Sequence, residues 1–195
     1  MAQIIKSVSI IYAACSAVMA LGCVADQADD GSEEAVVQES KGHTEIHTED
    51  RCDPATFNAG GRTLCAPNFN GGVTLAQFQA ELAATQTVQS WEYGGGQIRV
   101  NLGQNFQVDN EGGEVHSFSI VANFGGGRVA GLNEASGNPV AAPECLAPQG
   151  PSNLDIASRA GITVTTGANG TIKTRGTFKI QCCIHPWMRT TAQIN

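Results

Sequence analysis

From residue 91 onward the chain alternates apolar with polar or small positions. Ile98, Val100 and Leu102 share one phase, as do Phe106 and Val108, and then His116, Phe118 and Ile120. A period of two places every second side chain on one face of an extended strand. The same logic predicts strands over 154–158, 162–166, 170–173, 177–182 and 189–194. Glycine clusters at 94–96, 112–113 and 125–127 separate the runs. Many short strands divided by turn residues predict an all-β, Greek-key β-sandwich. The period lengthens only over Val73–Gln86, where Leu75, Phe78 and Leu82 share a helical face behind a Thr74/Gln77 capping box. That helix is expected to be structural, packed on one end of the sandwich.

The N-terminal part is made of different material. Lys6 precedes an apolar run from Val8 to Leu21 that is too short for a confident membrane span, so residues 1–22 read as an export signal. Leu21-Gly22-Cys23 resembles a bacterial lipobox, which would make Cys23 a lipidation site; ordinary cleavage after Ala20 or Ala25 is the alternative. Either way the chain is exported, to a periplasmic or cell-surface location, with membrane contact only through a lipid anchor.

Residues 23–53 hold ten of the eighteen acidic residues and no aromatic, a composition expected to stay a flexible tether. Residues 54–195 carry eight acidic and eight basic side chains, so the formal charge of −7 belongs to residues 1–53 rather than to the fold. A neutral domain without a basic stripe gives no footprint for nucleic acid. It suggests a monomer that meets its partners through apolar contact. His43 and His47, four apart in the acidic stretch, are expected to be solvated; a weak metal site there is the alternative. Residues 54–90 are expected to form a disulfide-stapled elaboration carrying the helix, and residues 91–195 the main domain.

The chemistry concentrates in Cys182-Cys183-Ile184-His185-Pro186-Trp187-Met188, which sets a thiol, an imidazole and a thioether at i, i+3 and i+6. Soft sulfur with imidazole is a ligand set for copper, and such a site takes a second histidine from elsewhere. His116, in Val115-His116-Ser117-Phe118, is the remaining histidine of the domain. This pairing resembles the blue (type 1) copper proteins of the cupredoxin family, with the short loop spacing of amicyanin rather than that of plastocyanin. Ser117 stands where many members carry Asn, and Cys183 where a small or polar residue is commoner.

The resemblance implies one type 1 copper held by His116, Cys182, His185 and an axial Met188, and single-electron exchange with redox partner proteins. It also implies an exposed outer edge of His185, with Pro186 and Trp187 building an apolar docking patch through which electrons pass. A copper storage or delivery protein, or a redox-silent binding module, is the alternative. Enzymatic relatives add a second, histidine-rich centre for which no histidines remain, and Cys182 with His185 lacks an orienting third group for nucleophilic catalysis.

An exported chain can keep disulfides. Cys52 and Cys65 bracket a short segment and are expected to pair. Alternation along Phe178–Cys183 points Cys182 inward and Cys183 outward, so Cys183 is expected to join Cys145. A bridge from Cys145 to Cys182, with no metal, stays open at this stage.

Overall fold

Two sheets stack face to face in a Greek-key β-sandwich. One sheet has the order β2-β1-β4-β7 and the other β3-β9-β8-β5-β6. The strands are β1 (Thr44–Asp50), β2 (Trp91–Tyr93), β3 (Ile98–Val100), β4 (Phe106–Asn110), β5 (His116–Val121), β6 (Asn153–Ile156), β7 (Gly161–Val164), β8 (Gly176–Gln181) and β9 (Arg189–Ile194). Among the described residues, four short helices join them: α1 (Pro54–Phe57), α2 (Leu75–Thr85), α3 (Ala130–Ala135) and α4 (Pro143–Leu146). This is a computed structural model, and it describes residues 44–66, 72–94 and 97–195. The expected export signal, Cys23 and His43 lie outside the described residues. No helix among the described residues is long and apolar enough to cross a membrane.

Phe106, Val108, Phe118, Ile180 and Ile194 fill the space between the sheets and are fully buried. Period-two alternation puts them there, and their contact area is the main stabilising contribution. The helix forms as expected: Thr74 accepts from the Gln77 N–H and the Gln77 side chain reaches back, closing the capping box. The strand expected over 170–173 reduces to one bridge between Thr166 and Ile172. Gly167 there adopts φ 105°, which turns the chain before a ladder can extend.

The acidic tether ends earlier than its composition suggested. Residues 44–50 are a strand, pairing in parallel with β4 and antiparallel with β2. Ile46, Thr48 and Asp50 point inward while Glu45, His47 and Glu49 point outward. Two of the three inward residues are polar, so the alternation carries no apolar signature, and the backbone ladder holds the strand instead. The sandwich therefore begins at Thr44, not at Trp91, and the segment between β1 and β2 is an insertion within it.

Both expected disulfides are present. Cys52–Cys65 staples the α1 loop, and Cys145–Cys183 ties the connection carrying α3 and α4 to the far side of β8. Cys182 is the free thiol among the described residues. Alternation accounts for the split: Cys182 sits in the main core, and Cys183 in a second cluster with Val121, Ala142 and Cys145.

Candidate metal centre

Strand pairing brings distant residues together. β5 and β8 run antiparallel with Ser119 opposite Gln181, so continuing the register by two residues sets Ser117 against Cys183 and His116 beside Cys182. The Cys183 N–H donates to Ser117 Oγ at 2.6 Å, and Ser117 Oγ also meets Ser119 Oγ. Ser117 thereby fastens the His116 strand to the cysteine loop, in the position where many cupredoxins carry Asn. The loop closes on itself: Cys182 N–H donates to Met188 O, and Met188 N–H to His185 O, each at 3.0 Å.

His116 Nδ1 and His185 Nδ1 stand 3.2 Å apart, with Cys182 Sγ 4.0 and 3.9 Å from them. The point equidistant from these three atoms lies about 2.2 Å from each, within the ~2.0–2.3 Å range of metal bonds to nitrogen and sulfur. The donor set and spacing fit a single metal ion. Cys182 and His116 are fully buried and His185 is 4% exposed. Met188, at the end of the loop, is completely buried.

Two carboxylates that the sequence did not reveal complete the arrangement. His185 Nε2 meets Glu114 Oε2 at 3.2 Å, and His116 Nε2 faces Asp50 Oδ2 at 3.6 Å. The second gap exceeds a hydrogen bond, so Asp50 acts on His116 through charge while its oxygens accept from the Gly113 and Glu114 N–H groups at 2.6 and 2.7 Å. Carboxylates behind ligating histidines fix ring orientation and raise basicity. Gly112 is required by this approach, since a Cβ there would meet Asp50 Oδ1 at 2.3 Å.

The charges follow. Burial alone would raise the Cys182 thiol, but His116 and His185 outweigh it and hold the group well below the usual thiol range. Burial would lower His185; the Cys182 sulfur and Glu114 instead lift it to about 9. His116 is likewise raised, with burial opposed by Asp50 and Cys182. For Asp50, burial is outweighed by His116 and the two N–H donors, which keep it below its ordinary 3.8. Without metal the Cys182 sulfur is therefore a thiolate beside a protonated His185. Two N–H groups, from Ser117 and His185, also donate to the Cys182 sulfur at 3.3 Å.

The exposed docking patch expected at His185, Pro186 and Trp187 is not found. All three are buried, because the insertion between β1 and β2 lies over them. Trp91 meets His185 edge-on at 5.1 Å, Trp187 lies 5.4 Å from it, and Phe57 and Phe78 pack behind these rings. Elsewhere, the exposed Glu45 and the half-buried His47 and Asp109 form a group on the outer face of β1 and β4. There His47 Nδ1 contacts Glu111 at 3.0 Å.

No family model matches the chain, and no curated protein matches it. Among solved structures, an amicyanin mutant in its Cu(I) form aligns at 15% identity, covering 55% of this chain and 76% of its own, with a TM-score of 0.34. A purple cupredoxin from Nitrosopumilus maritimus aligns at 10% identity over 78% of this chain and 99% of its own, with a TM-score of 0.40. An oxidized amicyanin mutant aligns at 12% identity over 82% and 88%, with a TM-score of 0.36.

Proposed function

We propose that the protein is an exported type 1 copper protein that carries single electrons between redox partners. The observation that carries this reading is the buried triangle of two imidazole nitrogens and one thiolate sulfur, sized for one metal ion. Copper bound there would supply the one-electron couple, with Met188 as its axial thioether. The chain's part is to hold the ligands still. The β5–β8 ladder fixes His116 against Cys182, the loop hydrogen bonds fix His185, and the aromatic rings packed on His185 leave it 4% exposed. A cage that neither oxidation state can reshape keeps the rearrangement on electron transfer small.

Burial favours a carrier over a storage or delivery protein, because an acceptor's ligands have no direct path to the sulfur. The test is optical. The copper-loaded protein is expected to show an intense visible absorption that ascorbate bleaches and ferricyanide restores through many cycles. A protein that binds only Cu(I) and surrenders it to a chelating acceptor would establish delivery instead.

A further inference from the structure

Against the cover over His185 lies a half-open cavity of about 500 Å³, within the roughly 300–1,000 Å³ typical of small-molecule sites. Its inner wall is aromatic, formed by Phe57, Phe78, Trp91 and Trp187, and these rings already meet one another edge-on or stacked. At its inner end lie His185 and Glu114. The Glu114 side chain retains 27% exposure although His185 beside it has almost none, so its carboxylate can still take a partner. The outer end is reached past Leu64 and Ala135, both exposed.

These features select a ligand chemistry. Aromatic walls with edge and stacking geometry favour a planar ring. Arg62 also lines the cavity, but its guanidinium is engaged by the Ala59 and Thr56 carbonyls, so the carboxylate at the inner end decides the polarity there, accepting a hydrogen bond and repelling an anionic head group. We propose that the cavity binds a small neutral aromatic molecule carrying a hydroxyl group, its ring among Phe78, Trp91 and Trp187 and its hydroxyl donating to Glu114. The purpose of such binding rests on the copper reading, since the bound ring would stand beside a metal-ligating histidine that no partner protein can touch directly.

The test uses the full chain, copper-loaded and metal-free, with 2-naphthol as probe and 2-naphthoate as its anionic counterpart. Calorimetry measures binding, and nitrogen-labelled indole signals locate it, because the chain's two tryptophans both line the cavity. One 2-naphthol per chain is expected to bind, moving both indole signals, with 2-naphthoate weaker by about tenfold or more. Ala135→Trp, which fills the mouth from an exposed position, is expected to cost a similar factor and leave the visible band of the copper form intact. Absence of binding, equal affinity for the anion, or unchanged affinity in Ala135→Trp overturns the proposal. The two readings fail separately: a blue protein that ignores 2-naphthol loses only the cavity, and a colourless one that binds it loses only the copper.

Discussion

Asp50 offers a sharp test of how the fold supports the centre, because it lies in a stretch whose composition reads as tether. Its carboxylate is 2% exposed, accepts two backbone N–H bonds and faces His116. Asp50→Asn keeps the shape but replaces one acceptor oxygen by an NH₂ that must face an N–H donor. Losing one charge-assisted bond and stranding a buried donor costs about 2–4 kcal/mol. With a urea slope of roughly 2 kcal/mol/M for a domain of this size, the midpoint of the metal-free protein should fall by about 1–2 M. The pH dependence gives a second check. Asp50 is held below its ordinary 3.8. Its stabilisation is therefore complete above about pH 4 and is lost as pH falls through the depressed folded value. The gap between wild type and variant should close in acid, and it should also narrow as rising pH deprotonates His116, which Asp50 holds above its ordinary 6.5. Copper affinity should drop by about 10–100-fold, as for other outer carboxylates. An unchanged urea midpoint, or a gap that persists in strong acid, would refute the role assigned to this residue.

Cys182→Ser should leave the circular dichroism of the metal-free fold intact and the copper-loaded variant colourless; a surviving visible band would place the sulfur ligand elsewhere. With His185 held at about 9, metal uptake near neutral pH should release at least about one proton, read by calorimetry in buffers of different ionisation enthalpy. No release would contradict the thiolate–imidazolium description. Replacing Cys145 and Cys183 together by Ala should lower stability by about 4 kcal/mol, given the 38-residue separation they close. An unchanged unfolding midpoint would mean that the α3–α4 connection is held by other contacts.

The metal loop was legible because three donors fall within seven residues, and His116 because it was the one histidine in a period-two run. Alternation across Phe178–Cys183 also separated the free thiol from the disulfide, since a strand has only two faces. Strand β1 escaped notice because its inward residues are mostly polar, so hydrophobic patterning could not find it. Asp50 and Glu114 escaped with it: each acts from outside the ligand motif, and their approach depends on how the 110–114 turn meets β1. Helix α2 was recognised, but not that its insertion covers His185. Local periodicity shows which face of a helix is apolar and says nothing about which end of a sandwich that face will find. A period-two run with Thr48 and Asp50 inward was the available signal for β1, and Glu114 two residues before His116 was the signal for the second carboxylate.

The central claim is that His116, Cys182 and His185 hold one copper ion together. X-ray absorption fine structure of the copper-loaded protein tests this directly, with His116→Ala as its comparison. One short copper–sulfur and two copper–nitrogen contacts are expected in the wild type, with one nitrogen lost in the variant. A first shell without sulfur, or one that His116→Ala leaves unchanged, would contradict it.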